Sequence, residues 1–216
     1  MKNMKNMSNV QSINFRGRPR AGKDPIVDLP APDLTRSKSI MRSLQSRRST
    51  REFSARMLSA QHLSNLLWAA SGVNRPATDG RTTPSAHDWK EILVFVSRAD
   101  GLFLYEPLVH ALRRKSDHDL RAATGMQSFV ADAPLNLIYV ADFAAMTDAA
   151  DDERILFSAA DAGFIAQSVY LYCASAGLAT VVRGMIDRAA LGRAMALPSN
   201  QRIILAQPVG HRSSMA

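Results

Sequence analysis

The sequence predicts an α+β fold, and three observations carry that expectation. Residues Glu91-Ile92-Leu93-Val94-Phe95-Val96 and Gly101-Leu102-Phe103-Leu104-Tyr105-Glu106 are two apolar runs separated by a short polar turn, the pattern of a buried strand and its hairpin partner. Residues 150–176 form the longest helical stretch, and after Ile155 nearly every side of it is apolar or small (Ala159, Ala160, Ala162, Gly163, Ala166, Ala174). Strands and helices then alternate irregularly, which favours α+β over a doubly wound parallel sheet.

Residues 1–32 are polar and basic, broken by Pro25, Pro30 and Pro32, and read as a flexible arm or as an extended segment lying on another surface. The domain proper is expected over residues 33–216. If Ile40 to Ser46 forms the last turns of a helix and Ser49 to Phe53 runs extended, Ser49 and Arg51 share one face and Arg47 sits at the junction. Ser59 can cap a helix whose Leu63, Leu66, Leu67 and Ala70 follow helical spacing and which stops near Gly72. Asn74 to Ala86, with Pro76, Asp79-Gly80 and Pro84, reads as a loop. After the hairpin, residues 108–131 read as polar and helical, and Leu135 to Ala141 as a third strand. A helix apolar all round must be buried, so residues 150–176 belong in the middle of the structure or across a subunit interface. Leu178 to Val182 and Arg202 to Ala206 are further strands, with a helix over Asp187 to Met195 between them.

The 216 residues suffice for one domain with a sizeable core. The formal charge of +8 is concentrated: residues 1–57 hold 13 Lys and Arg against 4 Asp and Glu, so the rest of the chain is nearly neutral. That distribution lacks the basic stripe and interleaved aromatics of a nucleic-acid binder. The single cysteine, Cys173, lies in an apolar run and reads as a small buried hydrophobe, and no Cys/His spacing suits zinc, so no metal site is expected. The first 25 residues contain neither a leader-like nor a membrane-spanning apolar run, and a cytoplasmic location is the expectation. His62, His110 and His118 fall on expected surface elements and read as solvated; His87 and His211 lie beside the segments that follow.

Ser46-Arg47-Arg48-Ser49-Thr50-Arg51-Glu52-Phe53 places three guanidinium groups and two hydroxyls within six residues. Arginine forks bind phosphate bidentately, so the string reads as an anion site; a solvated basic turn fits the same residues. Arg81-Thr82-Thr83-Pro84-Ser85-Ala86 combines a fixed-φ proline with small residues that permit close approach to a flat ligand, although such a string is also an ordinary loop. Val181-Val182-Arg183-Gly184-Met185-Ile186-Asp187 runs from a strand through a glycine into a helix capped by Asp187; that glycine either admits a ligand or only turns the chain. Dinucleotide, triphosphatase and serine-hydrolase signatures do not occur.

Taken together and in order, these segments resemble the nitroreductase family of flavin enzymes, in particular its SagB-type and thiazoline-oxidase-like dehydrogenase branch. The resemblance covers residues 36–212. It rests on the Arg47 to Phe53 string, Leu66-Leu67-Trp68-Ala69-Ala70-Ser71-Gly72-Val73-Asn74-Arg75, Arg81 to Ala86, and Gly101 to Tyr105. It continues through Gln127-Ser128-Phe129-Val130-Ala131-Asp132-Ala133-Pro134, Asp161-Ala162-Gly163-Phe164-Ile165-Ala166-Gln167, Val181 to Asp187 and Pro208-Val209-Gly210. The family fold is a mixed, mainly antiparallel central sheet flanked by helices, with long central helices at the heart of an intertwined homodimer.

The resemblance implies non-covalent FMN at the dimer interface and NADH or NADPH as electron donor. Arg47, Arg48 and Ser49 would hold the phosphate and ribityl chain, Arg51 and Gln127 the polar edge of the ring, and Arg183 and Gly184 would lie beside it. Pro84, Ser85 and Ala86 would come from the partner subunit, and Arg212 would replace a late basic pair of better-known members. No side chain need be catalytic, because flavin N5 carries the chemistry and the kinetics would be ping-pong. The acceptor would be a small conjugated molecule of nitroaromatic or quinone type, with no membrane or nucleic-acid partner. A non-catalytic flavin carrier and an azoline-type dehydrogenase are the alternatives, and a binder of nucleic acid or anionic surfaces through the basic N-terminal residues is a third. The sequence departs from the branch at His87-Asp88-Trp89-Lys90-Glu91, where many members continue with Gly-Ala and a Tyr-Pro pair, so this chain builds the pocket mouth differently.

Overall fold

A computed structural model describes residues 24–35 and 37–213. In chain order the elements are β1 (Ile26–Asp28), α1 (Ile40–Ser46), α2 (Ala60–Ser71), β2 (Val73–Arg75), β3 (Gly80–Arg81), β4 (Ile92–Arg98), β5 (Gly101–Glu106), β6 (Ala111–Ser116), α3 (Phe129–Asp132), β7 (Leu135–Asp142), α4 (Asp151–Ala176), β8 (Leu178–Thr180), α5 (Arg188–Ala194) and β9 (Gln201–His211). Seven strands form one sheet in the order β1-β6-β5-β4-β7-β9-β8, every neighbouring pair antiparallel. The expected α+β class with a mainly antiparallel sheet and one long helix is what the chain forms.

The central strands are buried on both faces, and their alternation sorts side chains between two cores. Val94, Val96, Leu137 and Tyr139 pack with Leu66 and Leu67 of α2 and Ile165 and Val169 of α4. Phe95, Ile138 and Val140 face the other way, against Leu191 of α5 and Leu120. The helix ends follow from their sequences. Ser59 Oγ accepts the His62 amide at 3.1 Å, Asp187 Oδ1 accepts that of Ala190 at 2.9 Å, and Glu153 reaches back to the Ala150 amide at 3.0 Å. Gly177 ends α4 with φ 74, a left-handed turn that favours glycine.

Helix α4 is about 39 Å long at 1.5 Å per residue. One face is buried, yet Leu156, Ala159, Ala160, Gly163, Phe164 and Gln167 all stay exposed at steps of three and four residues. The expectation that this helix is buried all round thus holds within the chain for one face only.

Several elements differ from the sequence reading. Residues 108–131 contain β6, whose Arg113 and Arg114 hide a strand behind charge: Arg113 is 5% exposed and pairs with Glu106, and Arg114 lies 4.7 Å from the Phe103 ring centre. The stretch 74–86 carries the small β2–β3 hairpin, and β9 extends well beyond Ala206. Within the expected arm, residues 24–32 lie on the body: Ile26–Asp28 pair with β6, and the Pro30 carbonyl accepts from Ser64 Oγ at 2.6 Å. The remainder of that arm, residues 1–23, lies outside the described residues. His110 is not solvated but 2% exposed, bonded to Tyr105 Oη and Ser64 Oγ, both at 2.8 Å. Burial lowers its pKa to about 4.

Candidate functional site

The arginine string is docked, not free-running. Arg47 caps α1 through its amide to the Ser43 carbonyl at 2.9 Å, and its guanidinium sits 5.3 Å from the ring centre of Tyr170 on α4. Tyr170 Oη then bonds Ser49 Oγ at 2.8 Å and accepts the Val182 amide at 2.9 Å. The chain continues extended beside β8, with the Thr50 amide on the Thr180 carbonyl at 2.9 Å, and Phe53 bridges antiparallel to Arg212. One buried tyrosine therefore gathers Arg47, Ser49 and the approach to Arg183. Arg48, Arg51 and Arg212 are exposed, and none of them, nor Arg47, forms a salt bridge among the described residues.

Phe53 carries the string to the next segment by stacking on Phe129 at 6.2 Å between ring centres. Phe129 follows Gln127, which is half-buried, and Arg183 lies 5.8 Å from the same ring. The Arg183 backbone is held by two hydrogen bonds with Ala206, at 2.8 and 3.0 Å. Its guanidinium is 6% exposed and touches no carboxylate: Nη2 makes long contacts to Thr124 Oγ1 (3.4 Å) and Asn136 Oδ1 (3.5 Å), while Nε and Nη1 have no partner. Burial lowers its pKa to about 10, which still leaves it a cation at neutral pH. A buried cation with unmet donors is costly unless something satisfies it. Gly184 is exposed, and an added Cβ there would make only ordinary van der Waals contact, with Leu205 at 3.8 Å and Arg188 at 4.0 Å, so the chain itself does not demand glycine at this position.

The structure thus brings Arg47, Arg48, Ser49, Arg51, Gln127, Arg183, Gly184 and Arg212 to one end of the sheet. Pro84, Ser85 and Ala86 are not among them. Their loop lies against Asp161, whose Oδ2 accepts the Ala86 amide at 2.9 Å. Asp161 and Tyr170 are nine residues apart on α4, about 13 Å along its axis.

The sequence reading missed Tyr170, Gly125, Asn136 and Thr124. A tyrosine within an apolar helix needs a partner for its hydroxyl, and that signal was available. Gly125 carried none: a Cβ there would sit 1.7 Å from Arg183 Nη1, a contact visible only in three dimensions. Cys173 is buried as expected, 1% exposed, with burial pushing its thiol far up. Among the described residues no cluster of His, Cys, Asp or Glu converges for a metal. A larger groove of about 600 Å³ between residues 32–43, α2 and the end of α4 is lined by none of these site residues.

The family model described as "Nitroreductase family" matches residues 44–211. The chain belongs to the nitroreductase family. A putative nitroreductase of Methanocaldococcus jannaschii is 35% identical, over 64% of this chain and 74% of that protein. A crystal structure of a putative nitroreductase from Ralstonia eutropha JMP134 is 44% identical with TM-score 0.85, covering 92% of this chain and 95% of that one. An NADPH:FMN oxidoreductase of Vibrio harveyi complexed with NAD+ shares the fold at TM-score 0.61 and 19% identity, over 81% and 69% of the two chains. This nitroreductase-family chain therefore has the fold its motifs implied, and the family is one of oxidoreductases.

Proposed function

We propose that the protein is an FMN-dependent oxidoreductase that takes hydride from NADH or NADPH and delivers it to a small conjugated acceptor of nitroaromatic or quinone type. The observation that carries this reading is Arg183, a buried cation with two donor atoms unmet among the described residues, beside the exposed Gly184. Those features fit an anionic, planar cofactor. FMN, when bound, supplies the two-electron chemistry that no side chain here performs. Arg47, Arg48, Ser49 and Arg212 would hold its phosphate and ribityl chain, and Arg47 and Ser49 are pre-set for this by Tyr170. Arg51 and Gln127 would supply positive charge and a hydrogen bond to the polar edge of the ring, favouring added electron density there. Arg183, in its poorly hydrated setting, would do the same with little loss to solvent.

A homodimer is part of the proposal. The exposed stripe of α4 has Leu156 at 63% and Phe164 at 47% exposure, a face suited to a second copy, and the Pro84–Ala86 loop, held at Asp161, lies about 13 Å along α4 from Tyr170. The partner's loop would close the cofactor site. The nearly neutral body supports a small-molecule enzyme with no nucleic-acid or membrane partner, acting in the cytoplasm, with residues 33–216 as the FMN-binding domain.

Stopped-flow mixing with NADH and with NADPH tests the reading. The purified protein is expected to be yellow, to bleach on mixing and to recover on addition of a quinone. A flavin that stays oxidised would leave only a carrier, and a colourless protein that cannot be reconstituted with FMN would remove the flavin altogether.

A further inference from the structure

Near the middle of α4, where the Pro84 loop packs, two carboxylates are buried without an ion-pair partner among the described residues. Glu91 is 1% and Asp161 2% exposed, and among the described residues neither forms an ion pair. Both hold the same loop. Asp161 Oδ2 accepts the Ala86 amide at 2.9 Å, and Ser85 Oγ accepts the Lys90 amide at 2.9 Å while donating to Glu91 Oε2 across 3.4 Å. Glu91 Oε1 has no hydrogen-bond partner.

The groups around Glu91 are Ser85 from the loop and Ser158 and Asp161 from α4, none of them cationic. Two cations line the same cavity as Asp161 without pairing with either carboxylate: Lys90 Nζ is held by Asp88 Oδ2 at 2.7 Å, and Arg81 has only Nη2 on Asp79 at 3.6 Å, with Nε and Nη1 unpartnered among the described residues. Arg81 and Tyr105 face Ser85 and Asp161 across a cavity of about 90 Å³. The loop they enclose is also strained, since His87, Asp88 and Lys90 have φ of 49°, 57° and 53° without being glycine. Such backbone conformations persist only where the surroundings impose them.

We propose that Glu91 and Asp161 are positioning residues, a paired-carboxyl clamp that holds Pro84, Ser85 and Ala86 in the shape needed to close the cofactor site of a second copy of this chain. The inference rests on the reading above that this loop serves such a site. The clamp has a pH limit. Burial, and the like charge of Asp161, raise the Glu91 carboxyl above its ordinary range, so the closed loop favours neutral Glu91. Stability tied to a raised carboxyl is complete below its unfolded value and is lost as pH rises through the folded one. Once ionised, Glu91 has no cation beside it and regains hydration only if the loop opens.

The test follows amide-exchange protection of residues 84–90 and FMN affinity from about pH 5 to about pH 9 in wild type, Glu91→Gln and Asp161→Asn. In wild type both quantities are expected to fall together by about tenfold as pH rises through the raised Glu91 range. Glu91→Gln, always neutral, is expected to keep the low-pH values throughout. Asp161→Asn keeps an acceptor for the Ala86 amide but removes the like charge, and should weaken the dependence; it carries the test if Glu91→Gln does not fold. A flat wild-type profile, or a variant profile unchanged from wild type, overturns the clamp. If no FMN binds at any pH but Ala86 protection still titrates and is flattened in the variant, the cofactor reading fails and the clamp stands. If FMN binds and both profiles are flat, the reverse holds.

Discussion

Two regions along α4, a cationic end around Tyr170 and a carboxylate end around Asp161 near the middle of the helix, are electrostatic opposites. Around Tyr170 the chain gathers Arg47, Ser49 and, through Val182 and Phe129, Arg183, with no carboxylate to neutralise them. Around Asp161 it gathers Glu91 and the Pro84–Ala86 loop, with no cation in contact. Neither end is complete as an active site, and each buries polar atoms that nothing among the described residues satisfies. Evolution rarely leaves such costs in place without a return, and the simplest return is that each end is finished from outside. The cationic end would take an anionic cofactor, and the carboxylate end would offer its loop to the partner's copy of that cofactor.

The comparison breaks most visibly if the cationic end is emptied. Arg47→Ala with Arg51→Ala is expected to yield colourless protein, with FMN affinity down at least about 100-fold, because each charge-assisted bond contributes roughly 1.5–3 kcal/mol. Fluorescence titration with FMN measures this, and an affinity unchanged by the double variant would mean that the anion sits elsewhere. Gly125→Ala should come next. Its Cβ would displace the flexible end of Arg183, so the fold is retained while FMN affinity drops by about tenfold, roughly 1.4 kcal/mol. Circular dichroism beside the same titration separates the two effects. Tyr170→Phe removes only the hydroxyl shared by Ser49 and the Val182 amide, for a loss of about 1 kcal/mol of stability in urea melts.

How much of this could be seen in the sequence differs between the two ends. The cationic end was legible because its residues are contiguous and chemically loud: three arginines in five positions, then Arg183-Gly184 at a strand end. What joins them was not. Tyr170 looked like one more apolar position in a helix, and Gly125 has meaning only where Arg183 comes to rest. At the other end Glu91 was read as the first residue of a strand, and its burial against Asp161 depends on a contact spanning 70 residues. The hairpin, the long helix and the helix caps were legible from periodicity and capping chemistry, since those are local. Strand β6 was not, because Arg113 is buried by pairing with Glu106 and Arg114 is half-buried against Phe103, and periodicity counts both as surface.

The central claim is that one complete site needs the cationic end of one copy and the Pro84 loop of another. Complementation tests it most directly. Arg47→Ala/Arg51→Ala and a loop variant, Pro84→Gly/Ser85→Gly, are each expected to bind FMN poorly, and the co-expressed, co-purified pair is then assayed by flavin absorbance. A mixed dimer carries one site with both defects and one with neither, so the account predicts recovery of one tightly bound FMN per mixed dimer. No recovery in a verified mixed dimer, or full FMN binding by a chain held monomeric, would contradict it.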